Sequence, residues 1–182
     1  MKLSNEELGK RYATALYDFA SDHQLVPAIK EEIELLAEVL HENAAFLQVF
    51  ASPSLRLDQK KNFIDALGNH FSREFHNFLQ LMFEYDRMEV LPFVVTAFNA
   101  RFDSDQKIGR GEVISATKMT DAQLEQLAGA YAKMNGLNDF HLENTVDSSL
   151  LGGVVLKTDG KVIDGSIRTK IATLRSNLIN NI

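Results

Sequence analysis

No cysteine occurs among the 182 residues, which excludes disulfides, thiolate nucleophiles, iron–sulfur ligation and cysteine-based zinc sites together. The plain reading is a reduced compartment with no use for thiols. No stretch approaches the roughly 18 consecutive apolar residues that a membrane-crossing helix needs, and the N-terminus MKLSNEELGK is too polar for a secretory signal. A soluble, cytoplasmic protein is expected. There is no basic stripe of the kind that neutralises phosphates, so nucleic acid is not an expected partner.

The constellations that carry chemistry are missing as well. The five histidines, His23, His41, His70, His76 and His141, form no i, i+4 pair and lack the flanking glutamate of a helical metal site. Glu31, Glu32, Glu34 and Glu38 crowd one helix, but with no histidine at ligand spacing they read as a solvated face turned away from the core. Around Gly152, Gly153 and Gly160-Lys161 a phosphate loop would need four residues between the glycines, a hydroxyl residue after the lysine and a helix beyond it. Here six residues intervene, Val162 follows the lysine, and a strand is expected next. No serine sits in a nucleophile-elbow pattern. No catalytic, cofactor-binding or metal-binding residue is therefore assigned.

What is present is apolar helix. Hydrophobic residues make up 45% of the chain, enough for a real core. The net charge of -6 is uneven, with ten basic against seventeen acidic residues in 1–105 and nine against eight in 106–182. That asymmetry predicts two domains with different partners. Ser4 and Glu7 form a capping box for a first helix to about Ser21, whose apolar face of Leu8, Tyr12, Ala15, Leu16 and Phe19 is widened by Ala13, Tyr17 and Ala20. Pro27 opens a second helix on Ile29, Ile33, Leu36 and Leu40, followed by a short one over Ala44 to Phe50 that ends at Ser52-Pro53-Ser54. A fourth is expected from Asp58 to Leu67 with Gly68 as its C-cap and Lys60-Lys61 on the surface. Ser72 caps a fifth carrying Phe75, Phe78, Leu79, Met82 and Phe83, and Met88 to Phe102 forms a sixth. Helices one and five carry more apolar surface than a peripheral bundle helix needs, which is either core or a groove able to receive an amphipathic helix.

Asp103 to Gly111 loses periodicity and reads as a linker, so the domains are expected at 1–105 and 112–182 with 106–111 between them. Beyond it come a strand over Glu112 to Thr117 and a helix capped by Thr120 and Gln123. That helix has Leu124, Leu127, Ala128, Tyr131 and Met134 inward and ends at Gly136. Asp139 to Val146 alternates as a strand. Asp159-Gly160 joins Val154–Lys157 to Lys161–Ile163 as a hairpin. A last helix then starts at Asp164 or Ser166 and places Ile167, Ile171, Leu174 and Leu178 on one face and Arg168, Lys170 and Arg175 on the other. The expected fold is α+β, a six-helix bundle followed by a small α/β domain.

The stretch GGVVLKTDGKVIDGSIRTKIATL resembles the C-terminal signature of the delta subunit of the F-type ATP synthase, whose mitochondrial counterpart is the oligomycin-sensitivity-conferring protein. Arg11-Tyr12-Ala13 followed by Ala15 to Ala20, Ser52-Pro53, and Arg87 with Leu91-Pro92 are similar to the same family, while residues 134–144 contribute nothing to the likeness. The resemblance implies a non-catalytic stator subunit of the peripheral stalk, without cofactor, present once per complex. It would be held at the cytoplasmic side of the plasma membrane through the complex, without inserting. It implies that a groove between helices one and five receives the N-terminal helix of an alpha subunit, through Tyr12, Ala15, Leu16, Phe19, Phe78, Leu79, Met82 and Phe83. It also implies that the second domain meets the C-terminal ends of the b subunits, for which Arg168, Lys170 and Arg175 supply a basic face. The alternative is a helical adaptor module of another complex.

Overall fold

The computed structural model describes residues 3–42, 46–51, 56–68, 70–158 and 160–171. The chain divides into two compact units, Met1–Phe102 and Asp103–Ile182. Helices occupy the first and a mixed sheet the second, so the chain as a whole is α+β.

The first unit contains α1 (Asn5–Asp22), α2 (Val26–Glu42), α3 (Phe46–Ala51), α4 (Leu57–Gly68), α5 (Arg73–Glu84), a 3-10 turn (Met88–Val90) and α6 (Leu91–Gln106), which runs on past the boundary. The single sixth helix expected over 88–102 is thus a 3-10 turn and a longer helix, and a count of six leaves out one helical element. Ser4 and Glu7 close the capping box on α1, with Glu7 N–H donating to Ser4 Oγ at 3.2 Å and Ser4 N–H donating to Glu7 Oε2 at 2.9 Å. The buried stripe of α1 is Ala13, Leu16, Tyr17 and Ala20, spaced i, i+3, i+4 and i+7. It meets Ile29, Ile33 and Leu36 of α2, Phe75, Leu79 and Met82 of α5, and Leu91, Val94 and Phe98 of α6 in one core.

Two glycines work by closeness. A Cβ on Gly9 would lie 2.4 Å from Phe93 Cβ and 2.9 Å from its carbonyl carbon, so α1 touches α6 at a point where no side chain fits. Gly68 does not cap α4 as expected. It is the buried last residue of that helix, pressed against the His76 ring of α5. Helices α1, α5 and α6 end instead on Gln24, Asp86 and Lys107, all with positive φ. Arg87 N–H reaches Met82 carbonyl at 2.8 Å and Leu25 N–H reaches Ala20 carbonyl at 2.7 Å, the six-to-one bonds of a left-handed C-terminal turn. Lys60, expected on the surface, donates to the Phe50 carbonyl at 2.6 Å and so satisfies one of the carbonyls at the C-terminus of α3.

In the second unit the sheet runs β2-β1-β3-β4, built from β1 (Ile108–Ser115), β2 (Asp139–Val146), β3 (Val154–Thr158) and β4 (Lys161–Asp164). β1 and β2 are parallel, joined by the crossover helix α7 (Asp121–Asn135), and the other pairs are antiparallel. The linker expected over 106–111 does not exist as such. Gln106 ends α6, Lys107 is a single turn residue, and Ile108 already pairs with Asp139. Two glycines in that strand, Gly109 and Gly111, mimic a loop in sequence. Their missing side chains leave room for the Phe140 ring. The strand expected over 112–117 accordingly starts earlier and stops at Ser115.

Thr120 and Gln123 cap α7, and Gly136 ends it in the left-handed region at φ 67°. Val113, Ala132, Phe140 and Leu156 form the core of this unit, with Leu124, Leu127, Ala128 and Tyr131 packed against it. Met134, expected inward, is 85% exposed, because α7 has turned that position away by its last turn. The hairpin forms with Thr158 opposite Lys161, and Gly160 takes φ 76°, whereas Asp159 lies outside the described residues. Also outside them are Ala44, Ser52 to Ser54, Leu174, Arg175 and Leu178.

Two substitutions follow from the close approaches. Gly9→Ala, which in an exposed helix would stabilise by about 1 kcal/mol, instead lowers unfolding free energy by about 1–3 kcal/mol because the methyl meets Phe93, read from urea denaturation. Gly153 has φ 80°, and a Cβ there would stand 2.4 Å from the Gly165 carbonyl oxygen. Gly153→Ala therefore lowers stability by about 2 kcal/mol or more, seen in thermal unfolding followed by circular dichroism.

Candidate functional site

α1 and α5 each present a second, accessible arc beside the arc that packs the core. On α1, Tyr12, Ala15 and Phe19 flank the buried stripe, with Leu16 at the floor between them. On α5, Arg73, Glu74, Asn77, Phe78 and Leu81 share an arc of about 140°, which adjoins the core arc of Phe75, Leu79 and Met82 at Phe78. These residues enclose an open groove of about 540 Å³ whose lining is mostly apolar. Phe19 is 39% and Leu81 41% exposed, large costs for side chains with nothing over them. His23, the C-cap of α1, stacks on Phe19 with ring centroids 4.3 Å apart and holds its Nδ1 2.8 Å from the Phe19 carbonyl oxygen. Phe19 is thereby braced from behind.

Five of the eight groove residues expected from the sequence, Tyr12, Ala15, Leu16, Phe19 and Phe78, line this groove. Leu79 and Met82 do not, because both are fully buried in the core. Phe83 lies on the opposite flank of α5, against Phe50 with ring centroids 6.1 Å apart, where with Leu57, Lys61, Ile64, Gln80 and Glu84 it borders a smaller cavity of about 350 Å³. The reason is angular. Choosing the most apolar arc of α5 selects the face that the protein itself consumes. Leu81, Asn77, Arg73 and Glu74 were missed, and the signal for Leu81 is its spacing of three from Phe78 on an otherwise polar face.

A fourth residue was misread in the other direction. Glu32 does not share the solvated face of Glu31, Glu34 and Glu38 but turns toward the start of α5. Its carboxylate accepts from Ser72 N–H and, at 3.0 Å, from Ser72 Oγ–H. Ser72 Oγ in turn accepts from Phe75 N–H at 3.2 Å, closing the first turn of α5.

In the second unit Ser166, not Asp164, caps the helix that opens at 167–171, since its Oγ accepts from Thr169 N–H at 3.3 Å. Asp164 braces that turn by accepting from Thr169 Oγ1 at 2.6 Å and Ser166 N–H at 2.8 Å. Those bonds, Thr169's first, hold its carboxyl below the ordinary aspartate range. Arg168 is exposed and donates to the Ser149 carbonyl at 3.4 Å, Lys170 is exposed, and Arg175 lies outside the described residues. Ile167 and Ile171, expected to share one apolar face of that helix, are exposed as well. The sheet face away from α7 holds a polar hollow of about 380 Å³ bordered by Arg110, Glu112, His141, Glu143 and Lys157, with Lys157 Nζ 3.4 Å from Glu112. Among the described residues no cluster of three or more metal-ligating side chains occurs.

The chain matches the family described as ATP synthase delta (OSCP) subunit over residues 8–178. The ATP synthase subunit delta of Lactobacillus johnsonii is 39% identical over 181 residues, covering 100% of each chain. That of Lactobacillus gasseri is 38% identical over the same length, and that of Lactiplantibacillus plantarum 36%. A chain in the cryo-EM structure of the Toxoplasma gondii mitochondrial ATP synthase hexamer has the same fold, with a TM-score of 0.69 at 23% identity over 94% of this chain and 97% of that one. With the match running almost end to end and relatives of equal length well above 30% identity, the chain belongs to the ATP synthase delta (OSCP) subunit family.

Proposed function

We propose that this chain is the peripheral-stalk subunit that holds the catalytic head of an F-type ATP synthase still against the rotor. It does so by receiving the N-terminal helix of an alpha subunit between α1 and α5. The observation that carries the reading is the groove itself, two helix faces that remain apolar after the core is complete. An amphipathic helix laid there would cover Phe19, Phe78 and Leu81 and remove their apolar surface from water, at about 25 cal/mol per Å². The rims are polar, with Arg73, Glu74 and Asn77 at the α5 side, and these fix register more than they add affinity.

The chemistry is a static one. Torque on the head is resisted as long as both ends of the link stay attached, and apolar burial supplies an attachment that needs no cofactor. The second unit would meet the C-terminal ends of the b subunits, with Arg168 and Lys170 offering exposed positive charge. One copy per complex would be held at the cytoplasmic face of the plasma membrane by its partners. No helix among the described residues is long and apolar enough to cross a membrane.

Calorimetric titration of the full chain with a synthetic peptide of the cognate alpha subunit's N-terminal segment tests the groove. Saturable one-to-one binding with a negative heat-capacity change is expected, weakened about 30-fold or more by Phe19→Asp or Leu81→Asp, as for a central apolar anchor. A folded chain that ignores the peptide would remove the reading. Stability separates the two arcs of α5. Leu79→Ala lowers unfolding free energy by about 2–5 kcal/mol, whereas Leu81→Ala stays within about 0.5 kcal/mol of the parent and shows its effect only in peptide binding.

A further inference from the structure

The wall of the groove made by α5 is held at its N-terminal end by a residue that never touches the groove. Glu32 lies in the middle of α2, forty positions before Ser72, and α2 contributes no lining residue. Its carboxylate nevertheless takes both donors that Ser72 offers, the backbone N–H and the hydroxyl. The hydroxyl oxygen, fixed by that bond, accepts from Phe75 N–H. Glu32 and Ser72 are both half-buried, and among the described residues no lysine or arginine pairs with Glu32. The charge is met instead by aligned donors and by the positive end of the α5 dipole, where an anion is favoured.

We propose that Glu32 is a positioning residue for partner binding: through Ser72 it pins the first turn of α5, and so sets where Arg73 and Glu74 stand at the mouth of the groove. This rests on the groove being the binding site. The neighbouring acids do nothing comparable. Glu34 pairs with Lys30 one turn back, at 2.6 Å, and Glu31 is exposed. A carboxylate meets the two Ser72 donors on separate, charged oxygens, whereas a glutamine side chain has a single uncharged acceptor atom and a donor in place of the other.

The test is the alpha-subunit peptide titrated into the full chain carrying Glu32→Gln, Ser72→Ala or both, with Glu31→Gln as the control and hydrogen exchange of the 73–75 amides read in parallel. Glu32→Gln and Ser72→Ala should each weaken binding about threefold to tenfold in a folded protein, speed exchange in the first turn of α5, and combine non-additively because they break one chain of bonds. Glu31→Gln should change neither. Binding by a folded Glu32→Gln chain within about twofold of the parent, or additive losses in the double variant, would overturn the proposal and leave the groove reading intact. A purely structural role would lower the melting temperature without moving the affinity of the folded fraction, and that result would also overturn it. If Glu32→Gln does not fold, Ser72→Ala alone decides, since it leaves α2 untouched and unchanged affinity there contradicts the relay. A parent chain that does not bind the peptide would remove both the groove reading and this one.

Discussion

Burial of Phe75, Leu79 and Met82 along one arc of α5 decides how that helix is turned, and the character of the groove follows from it. With those three side chains committed to the core, Phe78 and Leu81 point to one side and Phe83 to the other. The same logic governs α1, where Ala13, Leu16, Tyr17 and Ala20 are consumed and Tyr12, Ala15 and Phe19 are left beside them. Two helices that each bury a narrow stripe while carrying a wider apolar arc leave a trough between them. Its floor is made of small and buried residues and its walls of rings. The stabilising contacts of the core and the lining of the groove are therefore adjacent strips of the same helices, and orientation at one determines orientation at the other.

The second unit reaches its form by a different route, through backbone closeness. Gly152 and Gly153 adopt φ of 141° and 80°, which lets Gly165 N–H reach the Val154 carbonyl at 2.9 Å and Ile167 N–H the Gly152 carbonyl at the same distance. The start of the last helix is thus sewn to the entry of the hairpin's first strand. The Gly-Gly pair and the Asp-Gly-Ser turn that looked like motifs are requirements of this crossing. The exposed apolar residues nearby, Val162, Ile163, Ile167 and Ile171, stand on the same part of the unit.

Much of this was legible in the sequence because it depends on local rules. The capping boxes at Ser4 and Thr120, the strand Asp139–Val146, the hairpin and the C-cap Gly136 were all read correctly, since each is determined by a few adjacent residues. Most of the misreadings come from a tertiary neighbour invisible to local pattern. Gly109 and Gly111 looked like linker because the Phe140 ring that fills their space comes thirty residues later. Glu32 was grouped with its solvated neighbours because Ser72 is distant in sequence. At the groove, periodicity points to α1 and α5, which do line it, but apolar content alone favours the core arc of α5, so it selects the buried Leu79 and Met82 over Leu81.

The account stands or falls on attachment through the α1–α5 groove. The most direct measurement is ATP-driven proton pumping by membranes depleted of this subunit and reconstituted with either the parent chain or a folded variant carrying Asp at both Phe19 and Leu81. The account predicts that the parent restores pumping and that the variant does not, while ATP hydrolysis by the head continues in both. Pumping restored equally by the double variant would contradict it, because the head would then be held by some other surface.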